Sequence, residues 1–152
     1  MGISVTGLDE LRALAGKDLG ASGWLDIAQE RVNTFADATD DHQWIHVDPQ
    51  RAKSGPFGAP IAHGYLTLSL MIPLFVELLD IQGVKMSINY GMEKVRFPSP
   101  VPVDSRIRLR AEVISVEDVS GNGVQMDMNF TIEVEGSTKP ACVAHVIYRH
   151  YA

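Results

Sequence analysis

The sequence predicts one α+β domain in which an antiparallel sheet curls around a helix, and three observations carry that prediction. The segment from His63 to Asp80 is apolar on every helical face, which requires other structure around it. From Arg106 onward the pattern changes to a period of two, as in strands with one buried and one wet face. The 152 residues are 45% hydrophobic and 21% charged, which suits a single ordinary domain with a sizeable core.

Each element follows in order. The N-terminal run MGISVTGLDELRALAGKDLG lacks a basic flank leading into a long apolar stretch, so it is not a signal peptide. It reads as a short amphipathic helix, and residues 1–22 form an N-terminal helical extension of a domain spanning 1–152. Val32, Phe35, Ala36 and Thr39 recur at helical spacing, predicting a helix from Ala28 to about Thr39. That helix runs into the segment TDDHQWIHVDP, Thr39 to Pro49, and Asp48-Pro49 starts a short helix through Ala52. The Gly/Pro-rich stretch from Ser54 to Pro60 is a loop. Pro73 lies within the apolar helix and predicts a kink or a break in two. Val84 to Tyr90 and Lys94 to Phe97 read as strands. Ile107, Leu109, Ala111 and Val113 alternate with Arg106, Arg108, Arg110 and Glu112, and Ser120-Gly121-Asn122-Gly123 supplies a turn. A long returning strand then alternates from Val124 to Glu135, and Pro140 to Tyr151 is apolar at both parities, as a covered strand should be.

Composition excludes several classes of function. Thirteen Lys and Arg against nineteen Asp and Glu give a net charge of -6 and a pI near 5.2, which argues against a nucleic-acid partner. The apolar helix acquires Glu77 and Asp80 after about a dozen residues, where a membrane span needs roughly 20, so no membrane partner is expected. Cys142 is the only cysteine, which excludes an intramolecular disulfide and a Cys-rich zinc site and fits a cytoplasmic setting.

The run from Thr39 to Pro49 concentrates three carboxylates, two histidines and a tryptophan. Asp41 and His46 are five residues apart, which on a helix separates them by about 140°. They can act together only across a turn. His42 and His46 would share a helical face, yet no Glu follows the first histidine as a metalloprotease helix requires, so no metal is predicted. Asp40, Asp41 and Asp48 serve equally as turn formers and helix caps, and on residue types alone the capping and catalytic readings both stay open.

The segments FADATDDHQWIHVDPQRA and GPFGAPIAHGYLTLSL together resemble the MaoC-like dehydratases, the family of (R)-specific enoyl-CoA hydratases. The family pattern is an aromatic residue, then a small residue, Gly, Asp, any residue, Asn, Pro, any residue and His. Here it runs through Phe35, Thr39, Asp40, Asp41, His42, Gln43, Trp44, Ile45 and His46, with Ala52 behind. Ala62-His63-Gly64, Asn89-Tyr90-Gly91, Val95-Arg96-Phe97-Pro98 and Pro100-Val101 extend the resemblance over roughly residues 25 to 150. Three positions depart from the pattern: Asp40 for Gly, Gln43 for Asn and Trp44 for Pro.

The resemblance implies a hot-dog fold, an acyl-CoA substrate, a homodimer and no cofactor. It implies reversible syn addition of water to a trans-2-enoyl thioester, giving the (R)-3-hydroxyacyl thioester. Asp41 and His46 are then the acid/base pair, and the backbone N–H of Gly64, at a helix N-terminus, is the oxyanion donor. Gln43 is an orienting residue at the substrate and Arg96 a ligand contact. Trp44 and Phe57 line the acyl tunnel or pack the loop. His63 is a substrate contact or a packed, capping histidine. The stripe Arg106, Arg108, Arg110 is either a contact to coenzyme A phosphates or a solvated sheet face, the commoner explanation. Two other functions compete: a hot-dog thioesterase, and a non-catalytic acyl-thioester-binding subunit, the latter favoured by a second carboxylate at Asp40.

Overall fold

A computed structural model of the protein describes residues 2–152. The architecture is the expected one: a six-stranded antiparallel sheet wrapped around a central helix, with the motif of acids and histidines at one end of that helix. The sheet is built from β2 (Asp18–Ala21), β3 (Leu25–Asp26), β5 (Met86–Arg96), β6 (Arg106–Val119), β7 (Gly123–Val134) and β8 (Cys142–Tyr151), in the order β2-β6-β7-β8-β5 with β3 also on β6. Alternation on β6 and β7 is as the sequence predicts. Ile107, Leu109, Ala111 and Val113 of β6 and Met126, Met128, Phe130 and Ile132 of β7 are buried. Between them Gly121 and Asn122 adopt the left-handed backbone that the turn needs. On the outer face Arg106 pairs with Glu135 and Arg108 with Glu133, the latter at 2.6 Å, so two of the three stripe arginines are spent on cross-strand partners of a solvated face.

The central helix is two segments, α5 (Gly64–Ser69) and α6 (Met71–Leu78), interrupted at Leu70. Pro73 explains the position of the break, three residues upstream of itself. It offers no N–H to the carbonyl of Ser69, and its ring would crowd that carbonyl in a continuous helix. Phe75 of α6 packs on Phe130 at 5.2 Å and on Tyr148 at 5.6 Å between ring centroids, fixing the helix to the middle of the sheet. Burying each such ring is worth about 2–3 kcal/mol.

Four expectations need correction. The helix expected to reach Asp80 ends at Leu78, and Leu79–Gln82 is instead a strand, β4, paired in parallel with β1 (Ile3–Thr6). Nor are the described residues of the expected helical extension, 2–22, a helix throughout: among them only α1 (Gly7–Arg12) is helical, between β1 and β2, and residue 1 of that expectation lies outside the described residues. The run Ile3 to Thr6, with β-branched Ile3, Val5 and Thr6, finds a partner at the exit of the central helix, while Leu11, Leu14 and Leu19 enter the common core, so tertiary pairing overrides the local helical pattern. The two strands expected between Val84 and Phe97 are one, β5, whose register shifts between Asn89 and Gly91 and again between Met92 and Lys94; these bulges break the period-two signal. Finally, the central helix is not covered on all sides. Tyr65 is 73% and Val76 62% exposed, and Ile72 joins them on a face this chain leaves bare.

His150 is buried at the inner face of β8, with Nδ1 2.8 Å from the Ser87 hydroxyl, and burial pushes its pKa down to about 4 from 6.5. The unfolded chain takes up that proton near 6.5 and the folded chain only near 4. Stability is therefore lost as pH falls through this window, by up to about 3 kcal/mol from this residue. Urea unfolding of the His150→Gln variant at pH 7 and at pH 4.5 is expected to show a smaller acid loss than the parent protein.

Candidate active site

Helix α2 (Gln29–Thr39) ends at Asp40, whose backbone is left-handed with φ 58° and ψ 23°. Such a cap favours glycine, and aspartate is among the few other residues that tolerate it. This accounts for a Gly-to-Asp departure without any chemical role for the Asp40 carboxylate. The reversed chain then carries Asp41 out on a short loop to α3 (Trp44–Val47), which holds His46, and on to α4 (Pro49–Lys53). Asp48 caps α4 through the N–H of Arg51 at 3.1 Å, so of the three acids in the run two are capping residues. His42 turns away to Asp37 at 2.9 Å on the surface, which raises its pKa through that hydrogen bond.

Across this turn Asp41, His46 and His63 converge, with one carboxylate oxygen and one ring nitrogen from each histidine all within 4.8 Å of one another. Asp41 is exposed, and its carboxylate accepts only a long 3.4 Å bond from the N–H of Gln43. His46 is 7% exposed, and its Nδ1 lies 2.7 Å from the carbonyl of Ile61. A carbonyl oxygen can only accept, so Nδ1 carries the proton and Nε2 presents a lone pair. Burial is the main cause of a lowered His46 pKa; the Ile61 bond and Asp41 pull it partly back up, while His63 adds to the depression. The imidazole is thereby uncharged near neutral pH and able to accept a proton. The His46 and His63 rings are stacked, 3.9 Å between centroids and 22° between planes. An ion held by both would have to lie in both ring planes, and nearly parallel planes do not meet within bonding reach, so the cluster is not arranged as a shared metal site.

Beside this cluster a cleft of about 340 Å³ opens between the start of α5 and the chain after β5, lined by Phe57, Ile61, Gly64, Thr67, Phe97 and Val101 among others. The N–H of Gly64 is in the first turn of α5, where amides have no acceptor within the helix. A Cβ on Gly64 would come within 3.2 Å of the Phe97 ring, which is half exposed and can yield, so packing alone does not demand glycine here. Of the remaining candidates, Phe57 lies in the cleft wall and Gln43 in the Asp41 loop, where its carbonyl accepts from the His46 N–H at 3.0 Å. Trp44 instead packs against Gly55 under the guanidinium of Arg51, 4.3 Å from its ring, and so belongs to the loop. Arg96 is turned to its neighbour's carbonyl at Val95 and is not in the cleft wall. His63 is 2% exposed and buried as a packing residue would be. Three contributors had no site role in the sequence reading: Ile61, whose carbonyl sets the His46 tautomer; Gln29, whose amide donates to the His46 carbonyl at 2.7 Å; and Phe97, over Gly64. Phe97 sits in a segment that resembles the family, whereas a backbone carbonyl leaves no sequence signal.

A family model described as the MaoC like domain matches residues 10–135. The chain belongs to this family. It is 55% identical over 143 residues to 3-hydroxyacyl-thioester dehydratase Z of Mycobacterium tuberculosis (strain ATCC 25618 / H37Rv), covering 94% of this chain and 95% of that protein. It is 42% identical to nodulation protein N of Rhizobium meliloti (strain 1021), over 92% of this chain and 88% of the relative. Among solved structures, the R-hydratase PhaJ1 from Pseudomonas aeruginosa has a TM-score of 0.71 at 23% identity, covering 90% of this chain and 81% of that one. The monoamine oxidase regulatory protein from Archaeoglobus has a TM-score of 0.78 at 22% identity, over 100% and 99% of the two chains. These structural likenesses are of fold. The family match and the curated dehydratase relative make this MaoC-like protein an enzyme.

Because Asp40 is a strained cap, Asp40→Gly is expected to stabilise the MaoC-like domain by up to about 1 kcal/mol. Thermal melting together with an activity assay checks this: a higher melting temperature with activity retained is the expected result.

Proposed function

We propose that the protein is an (R)-specific enoyl-CoA hydratase, or 3-hydroxyacyl-thioester dehydratase in the reverse direction, working in the cytoplasm without a cofactor. The observation that carries this reading is the convergence of Asp41 with a ring nitrogen of the buried His46, beside the cleft that Gly64 lines. In hydration, a water held between Asp41 and His46 forms the new C3–O bond and gives up a proton to the pair. The pair supplies a proton to C2 from the same face, so one water is added overall and the thioester stays intact. Charge that builds on the thioester oxygen is met by the Gly64 N–H, fixed before the reaction starts. Phe57 and Phe97 flank the entering thioester, and the Gln43 backbone ties the Asp41 loop to the His46 helix.

The reading includes a homodimer. Strand β5 ends the sheet with one edge unpaired, and Met86, Ile88 and Tyr90 on it are exposed, as are Tyr65, Ile72 and Val76 on the helix. A two-fold copy pairing at β5 covers both sets and avoids a free apolar sheet edge.

Loss of enoyl absorbance from crotonyl-CoA and a medium-chain trans-2-enoyl-CoA tests the activity. Turnover is expected in the parent protein, with kcat reduced about 100-fold or more in Asp41→Asn and in His46→Gln. Free thiol release in place of hydration would instead mean a thioesterase. For the assembly, light scattering is expected to give twice the chain mass, and Val76→Glu with Ile88→Lys to give the mass of one chain.

A further inference from the structure

We infer that His63 is a positioning residue for the acid/base pair, holding the Asp41 loop with one ring nitrogen and the His46 imidazole with one ring face. The inference rests on the proposed roles of Asp41 and His46. Its Nε2 lies 2.9 Å from the backbone carbonyl of Asp41, and since that oxygen can only accept, Nε2 carries a proton. Nδ1 is buried and has no hydrogen-bond partner among the described residues. Among the described residues the ring's one hydrogen bond is therefore the link through Nε2 to the Asp41 loop. The ring lies between Phe35 of α2, at 4.8 Å, and His46 of α3, at 3.9 Å.

These contacts answer a mechanical problem in the site. Asp41 stands on an exposed loop just past the left-handed end of α2, and its own carboxylate is held only by the long bond from Gln43. The bond from His63 is the short link that ties the Asp41 backbone to the N-terminus of α5, because His63 is also the residue before Gly64. One side chain therefore sets the distance from the carboxylate to both the imidazole and the Gly64 N–H. Proximity of this kind governs the chemical step more than substrate binding, and an error of about 1 Å can cost about 100-fold in rate.

Two variants separate the two contacts. His63→Phe keeps a ring between Phe35 and His46 but has no donor for the Asp41 carbonyl; His63→Gln keeps an amide donor at similar reach but has no ring. The expected result with crotonyl-CoA is that His63→Phe lowers kcat about 10- to 100-fold with KM within about twofold, and that His63→Gln recovers most of the loss. Parent-like kcat in His63→Phe overturns the inference, as does an equal loss in both variants that tracks their melting temperatures. Nitrogen-15 NMR of the unaltered protein provides a readout that needs no variant to fold. His63 is expected with its proton on Nε2 and His46 with its proton on Nδ1 at pH 7, and a proton on His63 Nδ1 overturns the assignment. An active Asp41→Asn removes the reading of the pair itself, whereas an inactive Asp41→Asn beside a fully active His63→Phe removes only the role of His63.

Discussion

The hydrogen bond from His46 Nδ1 to the carbonyl of Ile61, 2.7 Å long and buried, is the contact on which the site depends. It decides which nitrogen of the imidazole is free to take a proton. Ile61 is itself fixed, since its N–H donates to Ile45 at 3.0 Å and it forms an antiparallel bridge with Pro102. The bond thus ties α3 to the strand-like segment that enters the central helix and to the loop that leaves β5. Breaking it would leave a buried carbonyl unpaired and a ring free to rotate, a cost of about 1–3 kcal/mol before any chemical consequence.

The fold serves this contact by bringing three distant pieces of chain to one end of the central helix. The Phe75, Phe130 and Tyr148 cluster sets the depth of the helix in the sheet. The helix is interrupted at Leu70, and Gly64 at the N-terminus of α5 lines the cleft. The cleft lies at the N-terminal end of the helix, with Gly64 and Phe97 in its wall, whereas the exposed Ile88 of β5 lies beside Ile72 and Val76 toward the helix C-terminus. The polar face of the sheet, with Arg106 and Arg108 spent on glutamates, is the solvated side.

Much of this was legible in the residues. The long β6–β7 hairpin was readable because its strands keep a strict alternation, and the cap at Asp48 because Asp-Pro has a clear local geometry. By residue types alone Asp41 and His46 were readable only as a spacing that demanded a turn, and the resemblance to the family motif singled them out as a pair; the left-handed Asp40 that makes the turn is a backbone property that aspartate does not advertise. The N-terminal segment was misread because its helical pattern is real over Gly7–Arg12, while the pairing of Ile3–Thr6 with Leu79–Gln82 is set by a partner 76 residues away. The bare helix face was invisible for a similar reason: apolar residues all round a helix say that it is covered, not which chain covers it. Bonds from ring nitrogens to the carbonyls of Ile61 and Asp41 involve backbone atoms every residue possesses, so no sequence pattern could announce them.

The central claim is that Asp41 and His46 add water to one face of an enoyl thioester, and hydration of crotonyl-CoA in deuterium oxide tests it most directly. Product analysis by NMR and chiral separation is predicted to give (R)-3-hydroxybutyryl-CoA carrying one deuterium at C2 on the same face as the new hydroxyl, with the thioester intact. An (S) product, deuterium on the opposite face, or release of free coenzyme A would contradict the account.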